Sequence, residues 1–295
     1  MYKGSIVALV TPFNYDYSVN FEKLNDLIEF HISQKTDAIL ILGTTGESSV
    51  LTFDEEEDIV KFTIEKAAGR IPIIVGAGSN DTAIALWQAQ RFEKMGADAL
   101  LVITPYYNKT NEEGMYKHFE MVANSVSCPI ILYNVPSRTG CSISINVLKR
   151  LKELKNIVGI KEASGNISYV TKVAKLVDDN FALYSGNDDI VVPLMSLGGS
   201  GVISVAANIM PLAMHNLVKT YLDGETEKSK ELQLEYLDII DSLFYEVNPI
   251  PVKDAINHLG LEVGPCRMPL YDMDKKLAKK MYDLIDNSDL VYKWK

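Results

Sequence analysis

Eight short apolar runs recur along the chain, at residues 6–10, 38–42, 71–75, 99–103, 130–133, 157–160, 181–184 and 202–205. Each is continuously apolar rather than alternating, the pattern of a parallel strand covered on both faces. Between them lie segments with helical spacing. Phe21, Leu24, Leu27, Ile28 and Ile32 form one stripe after Asn20, a candidate N-cap. Thr52 with Glu55 reads as a capping box, and so does the run Thr110-Asn111-Glu112-Glu113. A helix from Asp81 through Met95 stops at Gly96. Strand and helix therefore alternate, and right-handed crossovers leave an open doubly wound sheet or a closed barrel. Eight units favour the α/β class as a (β/α)8 TIM barrel. A length of 295 residues suits one barrel of roughly 250 residues with an addition.

After the eighth run the pattern changes. A helix near residues 211–221 closes the eighth unit, and helical stretches follow near 226–245, 252–259 and 274–285. Leu232, Tyr236, Ile239, Ile240 and Leu243 keep helical spacing. No strand pattern remains. The expected organisation is a barrel over residues 1–223 and a C-terminal helical extension over 224–295 packed on it.

The formal net charge is −10 and no run of Lys or Arg forms a basic footprint, so no nucleic-acid partner is expected. No apolar run approaches the roughly 20 residues of a membrane span. The first residues lack a secretory signal pattern, and a cytoplasmic location is expected. Cys128, Cys141 and Cys266 match no zinc spacing, and their odd number argues against a disulfide framework. Cys128, ahead of Pro129, reads as a small buried filler. None of His31, His118, His215 and His258 sits at the C-terminal end of a run, and no pair has i, i+4 spacing. Neither a metal nor another cofactor is expected.

A barrel carries its chemistry at the C-terminal ends of its strands, so the residues after each run are the place to look. The sixth run continues directly into Lys161, in the segment Gly159-Ile160-Lys161-Glu162-Ala163-Ser164-Gly165. Lysine is rarely buried, and desolvation disfavours its charged form, freeing an amine to attack carbonyls. The alternative is a lysine just past the strand that snorkels to water. The fifth run ends in Tyr133, followed by Asn134-Val135-Pro136-Ser137-Arg138-Thr139-Gly140. Tyr133 is placed to aim its phenol into the barrel mouth. Arg138, on a stiff loop, suits bidentate grip of a carboxylate. The plain alternative is a core tyrosine and a surface arginine. The second run leads into Gly43-Thr44-Thr45-Gly46-Glu47-Ser48, a tight turn with hydroxyls and N–H groups free for an anion, or an ordinary turn. Gly186, after the seventh run, reads as room for substrate. Gly198–Gly201 precedes the eighth run, on the opposite face, and reads as a helix end and turn.

With Lys161, Tyr133 and the Thr44-Thr45 pair on three strand ends, the chain resembles the pyruvate-dependent class I aldolase superfamily. Its specific match is to the dihydrodipicolinate synthase family, carried by Gly43–Glu47, Pro105-Tyr106-Tyr107-Asn108-Lys109, Tyr133–Gly140 and Gly159–Gly165. Sialic-acid lyases, the sister group, differ after the lysine and in the loop after the fifth strand. The resemblance implies that Lys161 forms an imine with pyruvate and that Thr45, with nearby N–H groups, holds its carboxylate. It implies that Tyr133 moves protons. It implies that Thr44 bridges Tyr133 and Tyr107, the latter from an adjacent subunit. Arg138 would receive the carboxylate of L-aspartate 4-semialdehyde, and Gly186 and Ile203 would line the pocket. A homotetramer built as a dimer of dimers is implied, and no cofactor.

Regulated members bind lysine at a subunit interface. Ser48, Asn80 and Tyr106 match that site, whereas Phe53, Glu56 and Ile84 stand where two histidines and a glutamate are found in strongly regulated members. Loss of that glutamate implies weak or absent lysine feedback. Two rivals are kept. A sister lyase of the N-acetylneuraminate lyase type would share Lys161 and Tyr133, with Arg138 as the discriminating residue. A catalytically silent barrel that senses small acids would have an unreactive Lys161.

Overall fold

Runs apolar on both faces become strands only where both faces are covered, and a ring of helices around a closed sheet covers them. The computed structural model describes residues 2–294. It has eight strands: β1 (Gly4–Ala8), β2 (Ala38–Ile41), β3 (Ile73–Gly76), β4 (Ala99–Ile103), β5 (Ile130–Asn134), β6 (Ile157–Glu162), β7 (Ala182–Ser185) and β8 (Gly201–Ser204). They pair in parallel in chain order, and β8 closes back onto β1. The fold is a (β/α)8 TIM barrel. Strand alternation turns Ile6 and Ala8 into the barrel and Val7 out toward the helices. Inside, Ile6, Leu40, Ile74, Leu101, Ile131 and Ile203 fill the space, so the barrel is a packed core and not a pore. Full burial of such a side chain stabilises by roughly 1.5–3 kcal/mol. At the closing seam Gly201 has φ +145°, and a Cβ there would collide with the Gly4 carbonyl, so only glycine fits.

The described residues also form twelve α-helices: α1 (Phe21–Ser33), α2 (Phe53–Ala67), α3 (Thr82–Met95), α4 (Glu112–Ser125), α5 (Pro136–Thr139), α6 (Ile145–Lys152), α7 (Ile167–Ala174), α8 (Val191–Met195), α9 (Pro211–Leu222), α10 (Thr226–Ser242), α11 (Ile250–His258) and α12 (Lys275–Asp286). Asn20 caps α1 by accepting from the Lys23 N–H at 3.0 Å. The Thr52–Glu55 box forms in both directions at the start of α2. Such caps contribute about 1 kcal/mol each. Gly96 ends α3 in the left-handed conformation, as expected.

Several boundaries differ from the sequence reading. The cap of α4 is Asn111, which accepts from the Gly114 N–H at 2.8 Å; the box expected from Thr110 does not form. β1 starts two residues earlier and ends at Ala8, because Val10 N–H already donates to the Asn208 side chain. β3 starts at Ile73 rather than residue 71, because Pro72 has no N–H for the ladder. Phe181 sits in a tight turn with Asp178, so β7 begins at Ala182. Gly201 is the first residue of β8 rather than the end of the preceding turn. α10 stops at Ser242, three residues before Tyr245.

Tyr236, Ile239, Ile240, Val252, Ile256 and Met281, from α10 to α12, join the same outer core as the barrel helices. A buried ion pair ties this extension to the loop after β2. Lys253, 1% exposed, donates to Glu47 Oε1 at 2.9 Å and to the carbonyls of Thr11 and Pro265 at 3.0 and 2.7 Å. Glu47 Oε2 accepts from the Arg267 N–H at 2.8 Å. The Arg267 guanidinium grips Glu55 and the Tyr17 and Val50 carbonyls. The extension thereby fixes the loop that carries Thr44 and Thr45.

Candidate active site

Period-two alternation decides where Lys161 points. Ile160 belongs to the outer core, so Lys161 faces the barrel interior, inside β6 and not beyond it. It lies in register with Tyr133 of β5 and Tyr184 of β7, both inward. Lys161 is 6% exposed, and its Nζ lies 4.4 Å from the centre of the Tyr133 ring. Among the described residues no hydrogen bond or ion pair occupies that amine. This sets it apart from Lys253, whose three N–H groups are all spent and whose amine is pushed down by burial, with Glu47 opposing.

Gly186 borders the lysine. A Cβ at this position would stand 3.1 Å from Lys161 Cε and 2.5 Å from Ala163 Cβ. The missing side chain is therefore what leaves room beside the lysine stem. Ile203 of β8 packs in the same interior cluster as Tyr133 and Tyr184. Glu162, next to Lys161 but on the other side of the strand, accepts from Asn134 Nδ2 at 2.6 Å and from the Ser164 N–H at 2.7 Å. Burial raises its pKa; the Asn134 bond ties the end of β6 to β5, and the Ser164 bond holds the turn that follows β6.

Thr45 is buried, and its Oγ1 accepts from Asn248 Nδ2 at 3.0 Å. Thr44 is half-buried and lines a cavity of about 540 Å³ together with Tyr133. Arg138 stands on a single helical turn, α5, where a stiff loop was expected. Its Nη2 donates to the Asn248 carbonyl at 2.9 Å. Tyr107 is not brought to Thr44 within one chain. It is 90% exposed with a left-handed φ of +67°.

The cavity beside Thr44 also gathers Ser48, Phe53, Glu56, Asn80, Ile84 and Tyr106. Glu56 gives this wall an acid although Ile84 stands in it as well. Glu56 is buried there, accepts from Gln88 Nε2 at 3.1 Å, and burial lifts its pKa to about 7.

Two functional candidates escaped the sequence reading. Asp188, 2% exposed, accepts from the Val205 and Ala206 N–H groups at 2.9 and 3.0 Å, just beyond β8. Burial raises its pKa against the pull of Lys161. Its only signal was position, two residues after Gly186. Asn248 had no local signal at all, since it touches Thr45 and Arg138 from more than 100 residues away in the chain.

The cysteines are free and half-buried; burial pushes the Cys128 thiol to about 11 and the Cys266 thiol to about 12. The four histidines have separate partners: Thr36, Thr82, Asp37 and Asp286. Among the described residues no group of three or more His, Cys, Asp or Glu could hold a metal ion. No helix among them is long and apolar enough to cross a membrane.

Against known proteins, residues 1–288 match the dihydrodipicolinate synthetase family. A 4-hydroxy-tetrahydrodipicolinate synthase of Thermoanaerobacter sp. (strain X514) is 53% identical over 292 residues, 99% of this chain and 98% of the relative. The crystal structure of dihydrodipicolinate synthase from Aquifex aeolicus superposes with a TM-score of 0.96 at 42% identity, covering 99% of this chain and 100% of that one. A monomeric dihydrodipicolinate synthase variant superposes with a TM-score of 0.95 at 38% identity, covering 98% and 97%.

Proposed function

The chain belongs to the dihydrodipicolinate synthetase family, and from that premise we propose that it condenses pyruvate with L-aspartate 4-semialdehyde through a Schiff base on Lys161. The product is 4-hydroxy-tetrahydrodipicolinate, the cyclic precursor of diaminopimelate and lysine. The single observation that carries the reading is the buried, unpartnered amine of Lys161 against the Tyr133 ring. An amine held dry and free of other acceptors is available to attack a ketone.

The Lys161 amine adds to the pyruvate carbonyl and water leaves, giving a cationic imine. That imine withdraws electrons, so the methyl group loses a proton and becomes an enamine. The enamine carbon attacks the aldehyde of the second substrate. The amino group of the adduct then attacks the imine carbon, the ring closes, and Lys161 leaves as a free amine. One water is released overall. Tyr133 shuttles protons, since a phenol donates and accepts in turn. Thr45 holds the pyruvate carboxylate, and Arg138 receives the carboxylate of the semialdehyde. Thr44 links Tyr133 to Tyr107 of a neighbouring subunit; the 90% exposure of Tyr107 in a single chain supports that assignment. Gly186 and Ile203 give the pocket its walls. The proposed assembly is a homotetramer, a dimer of dimers, working in the cytoplasm without a cofactor.

The test is reduction with borohydride in the presence of pyruvate, followed by mass measurement. A stable adduct on Lys161, absent in Lys161→Met, is expected. No adduct on the unaltered protein would sink the reading and leave a binding barrel. Turnover of aspartate semialdehyde but not N-acetylmannosamine separates this reading from the sister lyase.

A further inference from the structure

Asn248 lies between α10 and α11, outside the barrel, yet it touches two residues assigned above to different substrates. Its Nδ2 donates to Thr45 Oγ1 at 3.0 Å, and its carbonyl accepts from Arg138 Nη2 at 2.9 Å. Asn248 is 7% exposed, so water does not compete freely for either bond. A hydroxyl has one proton and two lone pairs. With one lone pair of Thr45 taken by an N–H, its proton has no acceptor among the described residues.

We propose that Asn248 is a positioning residue that commits Thr45 to act as a donor and steadies Arg138, so that one residue of the extension sets both substrate subsites. This rests on the reading that Thr45 holds the pyruvate carboxylate. A carboxylate accepts hydrogen bonds and cannot donate them. A threonine whose proton is already directed outward meets it without reorientation. The backbone carbonyl does the same for the second substrate by restraining the Arg138 fork. It lies just before α11, whose Lys253 pairs with Glu47.

The experiment reverses the bond. Asn248→Asp keeps the shape but has no N–H to offer, and its carboxylate instead takes the Thr45 proton away from the substrate. Losing a hydrogen bond to an ionised group corresponds to roughly ten- to hundredfold in affinity. The KM for pyruvate is expected to rise about tenfold or more in Asn248→Asp and less in Asn248→Ala, where the hydroxyl turns freely. Plain charge repulsion is separated by repeating Asn248→Asp on Thr45→Val. With no hydroxyl to redirect, most of the aspartate effect disappears if the proposal holds.

An unchanged pyruvate KM in Asn248→Ala overturns it. So does an aspartate effect of equal size with and without the Thr45 hydroxyl. Each protein is also trapped with borohydride and pyruvate. If no adduct forms on the unaltered protein, the Schiff-base reading has failed; if adducts form and the KM order is wrong, only this proposal has.

Discussion

A single methyl group at position 186 tests whether the space beside Lys161 matters. The Cβ of Gly186→Ala would stand 2.5 Å from Ala163 Cβ, where apolar carbons prefer about 3.5–4.0 Å. Something must move by about 1 Å. The backbone resists, because the Gly186 N–H donates to the Glu162 carbonyl at 2.7 Å and the Ala163 N–H to the Asn134 carbonyl at 2.9 Å. Overpacking of this kind costs about 1–3 kcal/mol. The second effect falls on Lys161 Cε, 3.1 Å away, which must give by a few tenths of an ångström. Misplacement of a reacting group by about 1 Å can cost a hundredfold, so a smaller shift is expected to slow trapping by roughly tenfold. Thermal unfolding reads the first effect, and the rate of borohydride-trapped pyruvate adduct reads the second. Ala163→Gly added to Gly186→Ala removes the worst contact, so stability should return while trapping stays slow. If Gly186→Ala melts with the unaltered protein and traps at its rate, the steric argument is wrong.

Lys253→Met leaves Glu47 buried and unpaired, and removal of one partner from such a pair costs about 3–5 kcal/mol in urea unfolding. Adding Glu47→Gln should recover part of that loss. Glu56 holds a proton in the folded chain up to about pH 7, whereas its ordinary value is 4.5. The unfolded chain releases that proton first, so its stabilising effect is complete below 4.5 and is lost as pH rises to about 7. The advantage of Glu56→Gln should therefore grow over that window to at most about 3 kcal/mol and then level, as thermal melts at several pH values would read. A carboxyl that is half neutral at pH 7 and tied to Gln88 is a poor partner for an ammonium, so weak lysine feedback is expected. Clear inhibition by lysine below about 1 mM in an activity titration would contradict this.

Most of the barrel was legible because covered strands must be apolar throughout, and that signal survives in a single sequence. The strand ends were less so. Pro72 shortens β3 through its missing N–H, and Asp178 turns Phe181 out of β7, effects that hydropathy does not carry. Asn111 took the cap from Thr110 because both residue types cap helices and only the chain path chooses between them. Lys161, Tyr133 and Gly186 were legible because each follows from its place at a strand end. Asn248 and the pair of Lys253 with Glu47 were not, since each joins residues about 110 to 206 positions apart. Tyr107 lies beyond both kinds of reading in a single chain, as its assigned partners belong to another.

Burial alone does not leave a lysine amine free, and two buried lysines of this chain show the difference. Lys253 is 1% exposed and Lys161 is 6% exposed. By exposure the first is the more desolvated. But Lys253 has three N–H groups and three oxygen acceptors, one of them a carboxylate, so its charge is compensated and its amine is committed. Lys161 has a tyrosine ring, a glycine and apolar side chains around it, with the Asp188 carboxylate near enough to feel its charge but not hydrogen-bonded to it. The difference comes from the elements that carry them. A helix beneath a loop meets the loop's free carbonyls, whereas a strand inside a barrel meets other strands whose carbonyls are already spent in the sheet. A lysine on the inner face of a barrel strand therefore keeps its amine unless a side chain is supplied to take it. At the mouth of this barrel Tyr133 offers the amine a ring face, and the buried Asp188 carboxylate, which feels the pull of Lys161, spends an oxygen on the Val205 and Ala206 N–H groups and makes no hydrogen bond to the amine among the described residues.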